Sequence, residues 1–301
     1  MHVFYSDPFT FPLPPEHRFP AEKYCLLRMR VAQWPASTGV ELVLAPRAND
    51  DELRLVHDVA YLDGFAAGTL GDEAMRRIGF PWSPELVERS LRSCGGTIAA
   101  ARRAMRDGCA AYLAGGTHHA RAGSGAGYCV YNDCAVAARV LQRDCSVRRV
   151  LVVDTDVHQG DGTAAIFERD DSVFTFSMHG EQNFPSQKAC SDLDIALPSG
   201  TGDDDYLAKL RDGLDVAMRS APEFVFFLSG ADAFVGDKLG RLSLSKRGLQ
   251  QRDRIVLDAI RARGLPHVTV MGGGYGRNVE DTVDVYEATV RATSREWGCG
   301  Y

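Results

Sequence analysis

Five short apolar runs, at residues 109–114, 150–153, 173–177, 224–228 and 268–271, constrain this 301-residue chain more than any other feature. They are continuous rather than alternating, so each is expected to be a strand buried on both faces. Helical patterns fall between several of them, at 133–143, 204–219 and 245–263. That succession predicts an α/β protein with a parallel sheet covered by helices on both faces. No repeat or Gly/Ser linker divides the chain, so one domain spanning 1–301 is expected. Upstream, 24–32 and 50–64 are predicted helices. A third is predicted at 83–106, where Ser83-Pro84-Glu85 supplies a cap, an N1 proline and an acidic first turn. The opening "FPLPPEHRFP" is predicted to be an irregular loop lying on the domain.

Composition removes several function classes. A formal charge of −6 argues against binding nucleic acid through broad backbone electrostatics. No stretch approaches the ~20 apolar residues that span a bilayer, so no membrane partner is expected. The start, Met1-His2-Val3-Phe4, has neither a basic region nor an apolar core like those of signal peptides. Eight cysteines are scattered without close pairs, as in a cytoplasmic protein with reduced thiols. A metal, if held, is then not held by cysteine.

The ends of the strands carry the chemistry. The five runs lead into "GGTHHA", "DTDVHQGDG", "SMHG", "SGADAF" and "GGGYG" in turn. Open α/β sheets bind ligands beyond the carboxyl ends of their strands, so these clusters are expected to converge on one site. Three carboxylates and an imidazole lie within eight residues, at Asp154, Asp156, His158 and Asp161. Such crowding is costly unless a cation or a donor network sits among the groups.

Asp156 and His158 alternate along an extended segment and so point to one side. Asp232 is the candidate third ligand. Two carboxylates and one imidazole suit zinc, and also Fe(II) or Mn(II), with one position left open. Asp154 and Asp161 are candidates to orient histidines. His118 and His119 offer a base near neutral pH and a neighbour that tunes it. Tyr275, after three glycines, can bring a phenol to a developing oxyanion. "GSGAG" at 123–127 looks like a dinucleotide loop, but no tight strand–turn–helix surrounds it.

Together "GGTHHA", "GYCVYND", "VDTDVHQGDGT", "FSMHG", "LSGADAF" and "GGGYG" resemble, in order and spacing, the histone deacetylase family. "FPLPPEHRFPAEKY", "IGFPWSPELVERS" and Gln159 look most like class IV enzymes and their bacterial relatives. The resemblance implies the arginase–deacetylase fold, an eight-stranded, mostly parallel sheet between helices. It implies that Asp156, His158 and Asp232 ligate Zn²⁺, with Fe²⁺ as the alternative metal in the cell. His119 would be the general base, His118 its electrostatic partner, and Tyr275 the oxyanion donor. Asp154 would accept from His118 and Asp161 from His119. Asp154, Asp156, Ser177 and the carbonyls of His158 and Met178 match a structural potassium site. By the same resemblance the crowding at 154–161 answers to two cations.

Gly127, Tyr128, Phe184 and Gly273 match the channel for an acyl-lysine side chain. Many relatives carry Phe where this chain has Tyr128, which bears on acyl-chain preference. Asp72 and Glu73 are the candidates for a carboxylate gripping the substrate backbone. The implied activity is hydrolysis of N-ε-acyl groups, acetyl or longer, from lysine in a protein or peptide. Acetylpolyamine hydrolysis and silent acyl-lysine binding are the alternatives, and a two-manganese ureohydrolase is a more distant one. No obligate protein partner is expected.

Overall fold

A computed structural model describes residues 1–295; Cys299 lies outside the described residues. Eight strands form one sheet: β1 (His2–Tyr5), β2 (Glu41–Leu44), β3 (Cys109–Tyr112), β4 (Val150–Asp154), β5 (Val173–Gly180), β6 (Leu193–Leu197), β7 (Phe224–Ser229) and β8 (His267–Met271). Their order is β2-β1-β3-β8-β7-β4-β5-β6. Every pairing is parallel, so the sheet is wholly parallel and not merely mostly so. This is the single-domain α/β arrangement of the arginase–deacetylase fold.

All five expected runs are strands. Their apolar side chains divide between two cores according to the period-2 alternation of a strand. Val150, Val152, Phe224 and Phe226 pack under the helices Pro84–Asp107 and Asp133–Cys145 on one face. Leu151, Val153, Val225 and Phe227 face the helices Asp203–Ala217, Lys246–Arg261 and Val279–Arg295 on the other. Truncating one of these phenylalanines to alanine costs about 3–5 kcal/mol, because the surrounding close packing cannot collapse into the void.

The helix starts follow local chemistry. Ser83 accepts from Leu86 N, Asn132 from Ala135 N and Ser245 from Gly248 N, each satisfying an otherwise orphaned backbone donor. One expected helix is corrected. Residues 50–64 do not form one helix but two pieces, Asp50–Leu53 and Val59–Ala67. The break falls at His57, which turns inward: its Nε2 accepts from Asn132 N at 3.0 Å, and its Nδ1 lies 3.1 Å from Arg121 O. Since Nε2 is an acceptor, Nδ1 carries the proton and donates. Strands β1, β2 and β6 have no strong signal in the sequence. Each has only four or five residues, and β2 and β6 are half-exposed sheet edges.

No described helix is long and apolar enough to cross a membrane.

Candidate active site

The site lies beyond the carboxyl ends of β3, β4, β5, β7 and β8, where the expected clusters do converge. After β3 the chain makes its Gly115-Gly116-Thr117 turn around Asp133. That carboxylate accepts from Gly116 N at 3.0 Å, Thr117 N at 2.8 Å and the Thr97 hydroxyl at 2.5 Å. The turn delivers His118 and His119 side by side, their ring centroids 4.1 Å apart.

Each histidine has its own carboxylate. His118 Nδ1 lies 2.6 Å from Asp154 Oδ2, and His119 Nδ1 lies 2.7 Å from Asp161 Oδ1. An ionised carboxylate only accepts, so both Nδ1 atoms donate and both Nε2 atoms face elsewhere. Asp161 is the first residue of the helix Asp161–Phe167, whose N-cap is Gly160, and its second oxygen accepts from Arg121 at 2.9 Å.

The two histidines titrate in opposite directions. Burial weighs against the charge of His118, but Asp154, Asp156 and the Asp154 hydrogen bond outweigh it and hold it up at about 9. Burial and the His118 charge push His119 down to about 4. The same burial thus acts on two adjacent rings whose charged neighbours differ, and their proton affinities are driven apart.

Asp156, His158 and Asp232 meet with one donor atom from each within 4.8 Å of the others. Asp156 Oδ1 takes His158 N at 2.8 Å and lies 2.9 Å from His158 Nδ1. Asp232 Oδ1 takes Val157 N at 3.0 Å. Its Oδ2 is buried with no aligned donor, although His158 Nδ1 sits 3.2 Å away. Burial and the neighbouring Asp156 charge push Asp232 up to about 7. Gly273 donates its N–H to Asp156, and any side chain at that glycine would run into Asp232 Oδ2. An orphaned oxygen, an acid reluctant to ionise and a gap only glycine leaves open all fit a cation among these residues.

The expected potassium ligands share Asp156 and His158 with this set and add Asp154, Ser177 and Met178. Asp154 is in register with Ser177 of the neighbouring strand, and both are buried, as is Met178. Ser177 Oγ also lies 3.0 Å from His179 Nδ1.

Aromatic rings wall the approach. Tyr128 packs against Tyr275 at 5.9 Å, and Phe184 stands edge-on to His119 at 4.8 Å. Gly127 (φ 53°) and Tyr128 (φ 66°) both take left-handed backbone. A side chain at Gly127 would strike His119. For tyrosine the conformation is uncommon. It is held by Gly127 N and Tyr128 N donating to Arg77 O at 3.0 Å and Ile78 O at 2.7 Å. Of the two candidate gripping carboxylates, Asp72 lines an outer groove with Trp82, and Glu73 lies 3.6 Å from Arg77.

Several residues were not singled out in the sequence. Phe19, from the Pro-rich opening, packs against Tyr128 at 5.3 Å and Tyr275 at 6.4 Å. Lys23 is fully buried, donates to Gly274 O at 3.0 Å, and sits 5.0 Å from the Tyr275 ring centroid. Asp237 accepts from Tyr275 N at 2.6 Å. Arg252, also buried, donates to Ser229 Oγ at 2.6 Å and Gly230 O at 2.5 Å, bracing the strand end before Asp232. A signal existed for two of them. Lys23 falls four residues before Leu27 and eight before Val31, on the buried stripe of its helix, and Arg252 falls on the stripe of Leu249 and Val256.

A wholly parallel sheet carrying an Asp/His/Asp set and two carboxylate-held histidines at its strand ends defines a hydrolase of the arginase–deacetylase class. The family model described as histone deacetylase domain matches residues 17–292, and the chain belongs to the histone deacetylase family. Members of that family generally use a divalent metal. The chain is 47% identical over 286 residues to an uncharacterized protein of Picosynechococcus sp., covering 93% of this chain and 94% of that one. It is 30% identical over 312 residues to the acetoin utilization protein AcuC of Bacillus subtilis, covering 96% and 78% of the two chains. It is 29% identical over 273 residues to histone deacetylase 2 of Arabidopsis thaliana, covering 85% and 70%.

Proposed function

We propose that this protein is a zinc-dependent lysine deacylase, removing an N-ε-acyl group from lysine in a protein or peptide. The observation that supports the reading is a buried Asp/His/Asp set beside two adjacent histidines, each held on Nδ1 by its own carboxylate. Asp156, His158 and Asp232 would hold Zn²⁺, which supplies the Lewis acid that polarises the scissile carbonyl and the attacking water.

The remaining work falls to the chain's own side chains. His119, neutral and fixed by Asp161 in the tautomer with a free Nε2, takes the proton of the attacking water. Water oxygen bonds to the carbonyl carbon, and the Tyr275 hydroxyl donates to the oxyanion that forms. The C–N bond then breaks, the lysine nitrogen takes a proton from His119, and the acid departs, giving up its remaining proton to the released amine or to solvent. His118, held cationic by Asp154, favours the developing negative charge. Tyr128, Phe184, Gly127 and Gly273 line the path of the lysine stem, and the packed rings exclude water from it. A structural K⁺ held by Asp154, Asp156, Ser177 and the carbonyls of His158 and Met178 would offset the carboxylates behind the zinc set. We further propose a single catalytic domain over 1–301 that needs no obligate partner. Its seven described cysteines are free thiols, which suits a cytoplasmic location.

The test is a competition among acetyl-, butyryl- and myristoyl-lysine peptides and N-acetylputrescine, using zinc-loaded enzyme with a chelated control and mass spectrometry. Chelator-sensitive deacylation of a peptide is the expected result. Consumption of the acetylpolyamine alone would overturn the substrate class and leave the chemistry standing.

A further inference from the structure

Between β5 and β6 the chain runs through a loop, 181–192, that carries Phe184 to its place beside His119. Phe184 is 47% exposed, and its one ring contact among the described residues is that edge-on approach to His119. Side-chain packing alone therefore does little to fix it. Lys188 and Ala189 line a cavity of about 270 Å³ with Arg121 and Glu168, so the loop is backed by open space rather than by core. Whatever holds this wall acts on its backbone.

Three successive carbonyls are taken. Lys188 Nζ donates to Asn183 O and to Pro185 O, each at 2.6 Å, and Gln159 N donates to Phe184 O between them at 3.3 Å. An ammonium has three donors and no acceptor, and its bonds to carbonyls are charge-assisted, about twice as strong as neutral ones. Lys188 is not spent on an acid. No carboxylate among the described residues pairs with it, and Asp161, Glu181 and Asp194 favour its charge from a distance.

Both ends of the loop are fastened. Upstream, the Asn183 amide donates to Leu239 O at 2.9 Å. Downstream, Ala189 N donates to Gln159 Oε1 at 2.8 Å, and Gln159 Nε2 donates to Ala189 O at 2.9 Å and to Asp194 at 2.8 Å. Gln159 is buried and follows His158 directly, so it places Lys188 relative to the strand end that carries Asp156 and His158. Lys188 then closes the turn that presents the ring.

We infer that Lys188 is a positioning residue that fixes the Phe184 wall and so sets the width of the channel for the acyl-lysine stem. The inference rests on the deacylase reading and deepens it by naming the group that shapes one side of the channel. Removing the ammonium strips two carbonyls of their donor and lets the ring leave its place, while His119 and Tyr275 keep every bond they have.

Zinc-loaded wild type, K188M, K188R, F184A and the K188M/F184A double variant would be compared on acetyl- and butyryl-lysine peptides, with metal content measured for each. K188M should raise KM about fivefold or more and leave kcat within about twofold, the signature of lost binding shared by ground state and transition state. K188R keeps the charge and the reach and should recover part of the loss. The double variant should match F184A, since a clamp that acts only through the ring then has nothing to hold. A wild-type KM in K188M, or effects that multiply in the double variant, would overturn the role. Fluorine NMR on protein carrying para-fluorophenylalanine in place of Phe184 gives a reading that needs no turnover. One narrow resonance is expected in the wild type and a shifted or broadened one in K188M; identical spectra would also overturn the clamp. Should no peptide be cleaved, the deacylase reading fails, and the fluorine spectra still decide whether Lys188 fixes the ring.

Discussion

The carboxylate of Asp237 accepts from the backbone N–H of Tyr275 at 2.6 Å, and also from Leu239 N at 2.7 Å and Gly240 N at 2.9 Å. The loop after Asp232 is thereby tied to the loop that carries the Tyr275 phenol. Lys23 completes the arrangement from below, donating to Gly274 O and lying against the Tyr275 ring. Burial pulls Lys23 down to about 8 against the pull of Asp232 and Asp237.

Tyr275→Phe removes one hydroxyl and no ring contact. Its kcat should fall on the order of 10²–10³ with zinc content unchanged. Steady-state kinetics on metal-quantified enzyme would check this; wild-type kcat would remove the oxyanion role.

Asp237→Ala leaves Tyr275 chemically intact but unfastened. A loss in kcat of about tenfold or more, with little change in KM, is expected from misplacement alone. Asp237→Asn keeps one acceptor oxygen and should recover part of the loss. If both variants turned over like wild type, the tie would be structural only.

His119→Ala should lose a factor of about 10²–10⁴ in turnover while still binding zinc, since the histidine touches no proposed metal ligand through a hydrogen bond. Asp161→Asn should be milder in binding and still impaired in turnover, because the tautomer of His119 is no longer imposed. Zinc binding measured by a chromogenic chelator separates the two effects.

Removing the metal should destabilise the fold. A cation at one hundred times its dissociation constant adds about 2.7 kcal/mol to the folded state. A lower Tm after chelation, restored by zinc, is expected of the wild type and not of Asp232→Ala. Equal shifts in both proteins would place the cation elsewhere.

His57 gives the protein an acid-sensitive joint. Burial lowers it from 6.5 to about 4. Between those values the unfolded chain binds the proton and the folded protein does not. Stability from this group is therefore complete above pH 6.5 and is lost as the pH falls towards 4, by about 3 kcal/mol. Chemical denaturation of His57→Gln across that window should show a shallower slope by one proton. A slope identical to wild type would exclude His57 as the source.

The sheet's central strands and the nature of the site follow from the sequence alone. Continuous apolar runs such as 150–153 bury both faces whatever surrounds them, and carboxylates as crowded as Asp154, Asp156 and Asp161 demand cations or donors wherever they lie. Only the tertiary structure decided which histidine is neutral. His118 and His119 are adjacent in sequence and each has a carboxylate, but Asp156 adds its charge at His118 alone, while burial and the His118 charge weigh against a proton on His119. The same holds for Asp237 and Lys23. Each is an ordinary charged residue until distant segments desolvate it and choose its partner, and long-range electrostatics of that kind leave no local pattern to read.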